Sequence, residues 1–253
     1  MVRLLIALML FVLAAPGPVS AQQTVLGIDS IPVVVKDIRR ARIDFSALGF
    51  TVRSDRPHDI DVETSHIKFS DGSALELVSP ASFADPSSSR YLHWLREGDG
   101  PISLGLYRPG STNTPPPGVF FGSRQRSQTD MVEDFQHDNG AVSLSGIWLA
   151  GSPSEAKLAN LPGAKAVGGT FCMPLGFGSK SVQFKEGEIL MLPESAQIVP
   201  GRPIVGVTVT VQSLDTTQGY LNGRGKKYRQ VIGCGRKSLW VEGRGLWLEF
   251  RER

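Results

Sequence analysis

Branched apolar residues crowd residues 28–35 and then give way to a different spacing. The run predicts a strand, and Pro32 predicts an edge position or a bulge, because proline cannot donate to a ladder. After it, apolar side chains fall at Ile38, Ala41, Phe45 and Leu48, while Arg39, Arg40 and Asp44 take the opposite side. That recurrence is a helix with one face against a sheet. Asp37 is placed to cap its first-turn amides, and Gly49 to end it. Three further strands follow at 50–53, 65–69 and 74–78, the last two joined by an Asp71-Gly72 hairpin turn. Residues 27–80 therefore spell one strand, one helix and three strands.

The order recurs downstream. A strand at 141–149, a short helix at 153–161 opened by Pro153, and strands at 181–184 and 188–192 flanking Glu186-Gly187 make a second copy. A third copy starts with a strand at 204–211 and a helix at 214–221. It closes with strands at 238–241 and 246–250 around Gly243-Arg244-Gly245. The endings Leu75-Glu76-Leu77 and Leu248-Glu249-Phe250 are alike, so a repeat of about 50 to 60 residues is expected. Between the first two copies the pattern is weaker: a helical turn or two at 91–96, strands at 102–107 and 119–121, and a loop at 111–118 containing Pro115-Pro116-Pro117.

The N-terminus sets the expected compartment. Arg3, an apolar run over 4–15 and the small residues Val19-Ser20-Ala21 form the three parts of a cleaved signal peptide spanning 1–21, too short a run for a transmembrane helix of about 20 apolar residues. The expected location is secreted or periplasmic, with no membrane span in the mature chain. Of the 27 Lys+Arg and 24 Asp+Glu, only Arg3 lies in 1–21, leaving 26 bases against 24 acids. That near-balance gives no electrostatic ground for a nucleic-acid partner. The only cysteines are Cys172 and Cys234. In an exported chain they form one disulfide or sit as two separately buried thiols, and neither has zinc-ligand spacing to another cysteine or histidine.

The order of elements in 27–80, ending on Leu75-Glu76-Leu77, resembles one βαβββ module of the glyoxalase-like, vicinal-oxygen-chelate proteins. The resemblance implies an α+β fold of repeated βαβββ modules in two pseudo-symmetric halves with curved mixed sheets. The N-terminal half would cover 22–140, with a regular module at 26–80 and a degenerate one at 88–125; the C-terminal half, 141–253, would hold modules 141–193 and 204–253. Such modules pair into a cup around a divalent metal and a small molecule, the metal held by a first-strand His or Gln and a last-strand Glu. Here the first-strand places fall near Ser30, Gly146 and Gly206, and the last-strand places on Glu76, near Leu190, and on Glu249. The ligand set is therefore incomplete, with Glu76 and Glu249 as the metal ligands it would retain.

Glu76 and Glu249 sit inside apolar runs, where an unpartnered carboxylate is costly and burial makes it a stronger base. The resemblance places a histidine before the third strand, and His58 approximates that position. Glu76, Glu249 and His58 are the candidate catalytic residues; Ser30, Trp148 and Trp247 are candidate ligand contacts, with Trp240 and Phe250 as further aromatic walls. An enzyme of this class would be lyase-, isomerase- or dioxygenase-like, acting on a small polar or carbonyl-containing molecule. The alternatives are a non-catalytic sequestering module and an envelope interaction protein using the proline loop 114–118. Ser154-Glu155-Ala156-Lys157 fits a Ser-x-x-Lys spacing without its partner motifs, residues 176–181 have the wrong glycine spacing for a phosphate loop, and the basic run 223–229 reads as a solvated turn.

Overall fold

The computed structural model describes residues 24–54, 62–81, 89–110, 114–124, 126–168, 180–233 and 236–253. The first apolar run is split at Asp29 into β1 (Gly27–Ile28) and β2 (Ser30–Val34). The backbone of Asp29 joins two sheets: its N–H donates to Gly105 and its carbonyl accepts from Ala74. Helix α1 (Ile38–Ser46) is capped by Asp37, whose side chain accepts from the Arg40 amide, and it buries Ile38, Ala41 and Phe45. The strand expected at 50–53 is reduced to β3 (Arg53–Ser54); β4 (Val62–Lys68) and β5 (Ala74–Pro80) then form the hairpin around Asp71-Gly72.

Helix α2 (Ser89–Leu95) leads into β6 (Gly100–Pro101), β7 (Leu104–Tyr107) and β8 (Val119–Gly122). One five-stranded sheet runs β3-β4-β5-β2-β6, and a three-stranded sheet runs β1-β7-β8. Pro32 does not mark an edge: β2 lies between β5 and β6, and β6 pairs only with Val33 and Val34, so the missing N–H of Pro32 costs no ladder bond there.

The remaining elements are β9 (Ala141–Ala150), α3 (Glu155–Ala159), β10 (Lys165–Val167), β11 (Lys180–Phe184), β12 (Gly187–Leu192), β13 (Ile204–Val211), α4 (Leu214–Gly223), β14 (Arg229–Gly233), β15 (Arg236–Gly243) and β16 (Leu246–Glu252). They build one eight-stranded sheet, β10-β11-β12-β9-β13-β16-β15-β14. Each half of this sheet places its last strand beside its first, in parallel, and the two first strands β9 and β13 meet antiparallel at the centre. The βαβββ pattern thus appears twice in one curved mixed sheet, and the α+β glyoxalase-like class expected from the sequence is the fold observed. Strand β14 begins at Arg229, the last residue of the run expected to be a turn.

Each module buries the apolar stripe of its helix against one sheet face. Phe45, Ile67, Leu75 and Leu77 in the first half and Leu221, Leu239, Leu248 and Phe250 in the second are almost wholly buried in one continuous core. Each such side chain contributes about 1.5–3 kcal/mol on removal from water. Helix α2 closes part of the opposite face of the first sheet, where Leu95 packs with Val34 and Val78.

Three arginines hold the halves together. Arg124, with φ 51°, donates through Nε to the Ile28 carbonyl and through Nη1 to Glu186 Oε2 at 2.7 Å. Arg244, with φ 52° in the β15–β16 turn, bridges Asp99 at 2.6 Å and Asp44. Arg202 donates to the Gly98 and Asp99 carbonyls.

Candidate functional site

The Asp71-Gly72 turn sets the register of the β4–β5 hairpin so that His66 lies opposite Glu76 and Lys68 opposite Ala74. Alternation puts Ser65 and Ile67 on the buried side, where the Ser65 hydroxyl accepts from Arg42, and turns His66 and Lys68 to the other face. His66 Nε2 stands 3.0 Å from Glu76 Oε1. A carboxylate only accepts, so this nitrogen carries the proton and the imidazole orients Glu76. Beside them, Lys68 Nζ is 2.5 Å from Asp130 Oδ1.

These groups line a cavity of about 320 Å³ with Asp29, Ser30, Arg124, Arg126 and Phe135. Asp29 accepts from the Arg124 amide at 2.8 Å and from the Ser30 hydroxyl at 3.3 Å. Burial nevertheless pushes its carboxyl above the ordinary value, and the nearby Glu76 charge adds to the shift. Arg126 lies over the Phe135 ring at 4.6 Å and donates to the Ser70 carbonyl at 3.2 Å.

The second cup, the corresponding face of the eight-stranded sheet, is built differently. Glu188, Gly146, Thr208 and Glu249 form one row across β12, β9, β13 and β16. Thr208 donates to Glu249 Oε2 at 2.7 Å and accepts from Trp148 Nε1 at 3.1 Å, while Glu188 pairs with Arg251 at 2.9 Å. The two first-strand places are glycines because neighbours occupy the space of a side chain. A Cβ on Gly146 would lie 2.6 Å from Thr208 Oγ1, and one on Gly206 would lie 2.6 Å from the Trp148 ring. Trp148 and Trp240 are nearly fully buried, their ring centroids 4.4 Å apart, and the half-buried Trp247 is 6.0 Å from Trp240 under the Arg229 guanidinium.

Of the expected site residues, Ser30 and Glu76 share the first cavity. Glu249, Trp148 and Trp247 lie together on the second sheet, so Glu76 and Glu249 do not form one site. His58, Cys172 and Cys234 lie outside the described residues. The partner that Glu76 has in the structure is His66, which the hairpin register alone indicates. Asp29, Lys68, Arg124, Arg126 and Asp130 carry no local sequence signal and come together only through the fold.

A divalent metal of the family type needs at least three N, O or S donors around one point. Among the described residues no group of three His, Cys, Asp or Glu side chains has that geometry. In the second cup the one family-position carboxylate, Glu249, faces a threonine and a glycine instead of imidazoles, so the donor set does not fit such a metal.

No family model matches the sequence, and no curated protein matches it. Solved structures do. A triple mutant of 4-hydroxymandelate synthase from Streptomyces coelicolor is 10% identical with TM-score 0.62, over 90% of this chain and 93% of that one. A variant of homoprotocatechuate 2,3-dioxygenase from B. fuscum is 13% identical with TM-score 0.56, over 94% of this chain and 74% of that one. A xylose isomerase-like TIM barrel/4-hydroxyphenylpyruvate dioxygenase fusion protein is 13% identical with TM-score 0.54, over 92% of this chain and half of that one. All three are vicinal-oxygen-chelate proteins, and the likeness shows that this chain has their fold. Identity this low shows the fold alone. Among the described residues no helix is long and apolar enough to cross a membrane.

Proposed function

We propose that the chain is an exported small-molecule-binding protein of vicinal-oxygen-chelate fold whose working cup is the first, taking a small polar molecule against the His66–Glu76 pair. The observation that carries this is the pairing of an oriented carboxylate with a cavity of about 320 Å³ on the face of β4 and β5 that carries His66 and Lys68. That volume is at the lower end of ligand pockets, about 300–1,000 Å³. Export rests on the pattern of residues 1–21.

The second cup supports a narrower role. Its indoles pack against one another and its single family-position carboxylate is engaged by Thr208, an arrangement that stiffens the sheet around β9 and β13. The test is a thermal-shift screen of small polar metabolites against the full mature chain and against Ala74→Phe, which fills the first cavity. Stabilisation of the wild type that disappears in Ala74→Phe supports the reading; binding that survives the filled cavity overturns it.

A further inference from the structure

The charges lining the first cavity are unequally satisfied. Lys68 and Asp130 neutralise each other, and the Arg124 guanidinium is occupied by Glu186, Asp71 and the Ile28 carbonyl. Glu76 keeps one oxygen, Oε2, with no hydrogen-bond partner among the described residues, and about a third of its side chain is exposed to the cavity. Asp29, which lines the same cavity, adds a second carboxyl group, its pKa raised by burial. Arg126, which lines the same cavity, is exposed, stacked on Phe135, and has no carboxylate within ion-pair reach among the described residues. One cavity therefore presents an uncompensated carboxylate and an uncompensated guanidinium.

A neutral ligand leaves both charges as they are, and a simple anion or cation satisfies one only. A molecule with an ammonium and a carboxylate satisfies both, each through a charge-assisted hydrogen bond. We propose that the first cup binds a small zwitterion of the amino-acid type, its ammonium donating to Glu76 and its carboxylate accepting from Arg126. The inference rests on the proposed role of this cup and specifies its ligand class. Phe135 holds the guanidinium plane in place, and His66 holds the carboxylate, so both recognition groups are oriented before the ligand arrives. The carboxyl group of Asp29 in the same cavity adds to the negative potential around Glu76, which favours an ammonium over a hydroxyl there.

The test is calorimetric titration of the full mature chain with L-alanine, L-threonine and 4-aminobutanoate, alongside matched molecules lacking one charge: lactate and 4-hydroxybutanoate without the ammonium, propylamine without the carboxylate. We expect at least one zwitterion to bind and its single-charge counterparts to bind at least tenfold more weakly. Glu76→Gln and Arg126→Gln should each weaken that zwitterion by roughly ten- to a hundredfold, the range for a lost charge-assisted bond. Circular dichroism and melts establish that both variants are folded. Equal binding of the hydroxy acid, unchanged affinity in both variants, or no zwitterion binding overturns the assignment. If another ligand class binds the wild type and is lost in Ala74→Phe, the cup keeps its role and only the zwitterion falls; if all binding survives Ala74→Phe, both fall.

Discussion

His66 and Glu76 face each other as a cross-strand pair on β4 and β5, with Nε2 and Oε1 3.0 Å apart at the edge of the first cavity. Their side chains are 17% and 34% exposed, so solvent screens the pair and its worth to folding is small. A double-mutant cycle with His66→Gln and Glu76→Gln should give a coupling of about 0.5–1 kcal/mol in urea unfolding. Ligand affinity, in contrast, should fall in both single variants. A coupling of several kcal/mol would mean that the pair serves the fold and not the cavity.

Arg124 predicts a much larger stability effect. Its side chain is 5% exposed and ties β1 to the β11–β12 turn, through Ile28 and Glu186, with Tyr107 under the guanidinium at 4.6 Å. Arg124→Ala leaves a buried carbonyl and the Glu186 carboxylate without their donor and should cost about 2–4 kcal/mol. Arg124→Lys should recover little, because an ammonium cannot donate in two directions with the fixed geometry of the fork. A loss under 1 kcal/mol for Arg124→Ala would show that its polar contacts add little to what joins the halves.

The pH dependence of stability should carry the mark of His137. Its Nδ1 accepts from the Thr51 amide at 3.0 Å, its Nε2 donates to the Lys68 carbonyl at 3.1 Å, and Phe50 and Phe69 close around the ring. Protonation would set two donors against each other at Nδ1, and burial lowers the pKa to about 4 from the ordinary 6.5. The unfolded chain therefore takes up a proton below pH 6.5 that the folded chain refuses until about pH 4. Stability conferred by the neutral ring is complete above 6.5 and declines by about 3 kcal/mol as pH falls across that window. Urea unfolding of wild type and His137→Gln at pH 7, 5.5 and 4.5 separates this from the carboxylates: the two profiles should converge on acidification. Parallel profiles would refute it.

How far these features are legible in the sequence depends on how local their causes are. Helix α1 and the β4–β5 hairpin were readable because Asp37, Gly49 and Asp71-Gly72 act within a few residues of themselves. The break at Asp29 was not, since it comes from hydrogen bonds to Gly105 and Ala74, far along the chain. Glu76 and Ser30, named from their places in the module, line one cavity, and the histidine beside Glu76 among the described residues is His66, eight positions from His58, which lies outside them. The hairpin turn already contained that answer, because residues equidistant from it face each other. Arg124 and Arg126 lie outside any periodic run and acquire meaning only from partners on other elements.

Export makes a prediction independent of the cup. Cleavage after Ala21 gives a mature chain beginning at Gln22, measurable as an intact mass and by N-terminal sequencing of protein recovered from the periplasm or medium. Replacing Ala21 by a bulky residue should block processing, because the cleavage site requires small side chains. Retention of residues 1–21 in the recovered wild-type protein would remove the export half of the proposal.

The second cup predicts indifference to divalent metals. Restoring a family-type ligand there is obstructed sterically as well as chemically: any side chain at Gly146 meets Thr208, whose Cβ would be 2.7 Å from the new Cβ, and any at Gly206 meets the Trp148 ring. Gly146→Ala should thus cost about 1–3 kcal/mol as an overpacking change, and Gly146→His should not gain metal affinity in return. Glu188 is held by Arg251, and Glu249 offers only its remaining oxygen. Melts with Mn, Fe, Ni and Zn salts should leave the midpoint unchanged, and elemental analysis of protein purified without chelator should give no stoichiometric metal. Stoichiometric metal that is lost in Glu249→Gln would show that donors beyond the described residues complete the site, and would move the chemistry from the first cup to the second.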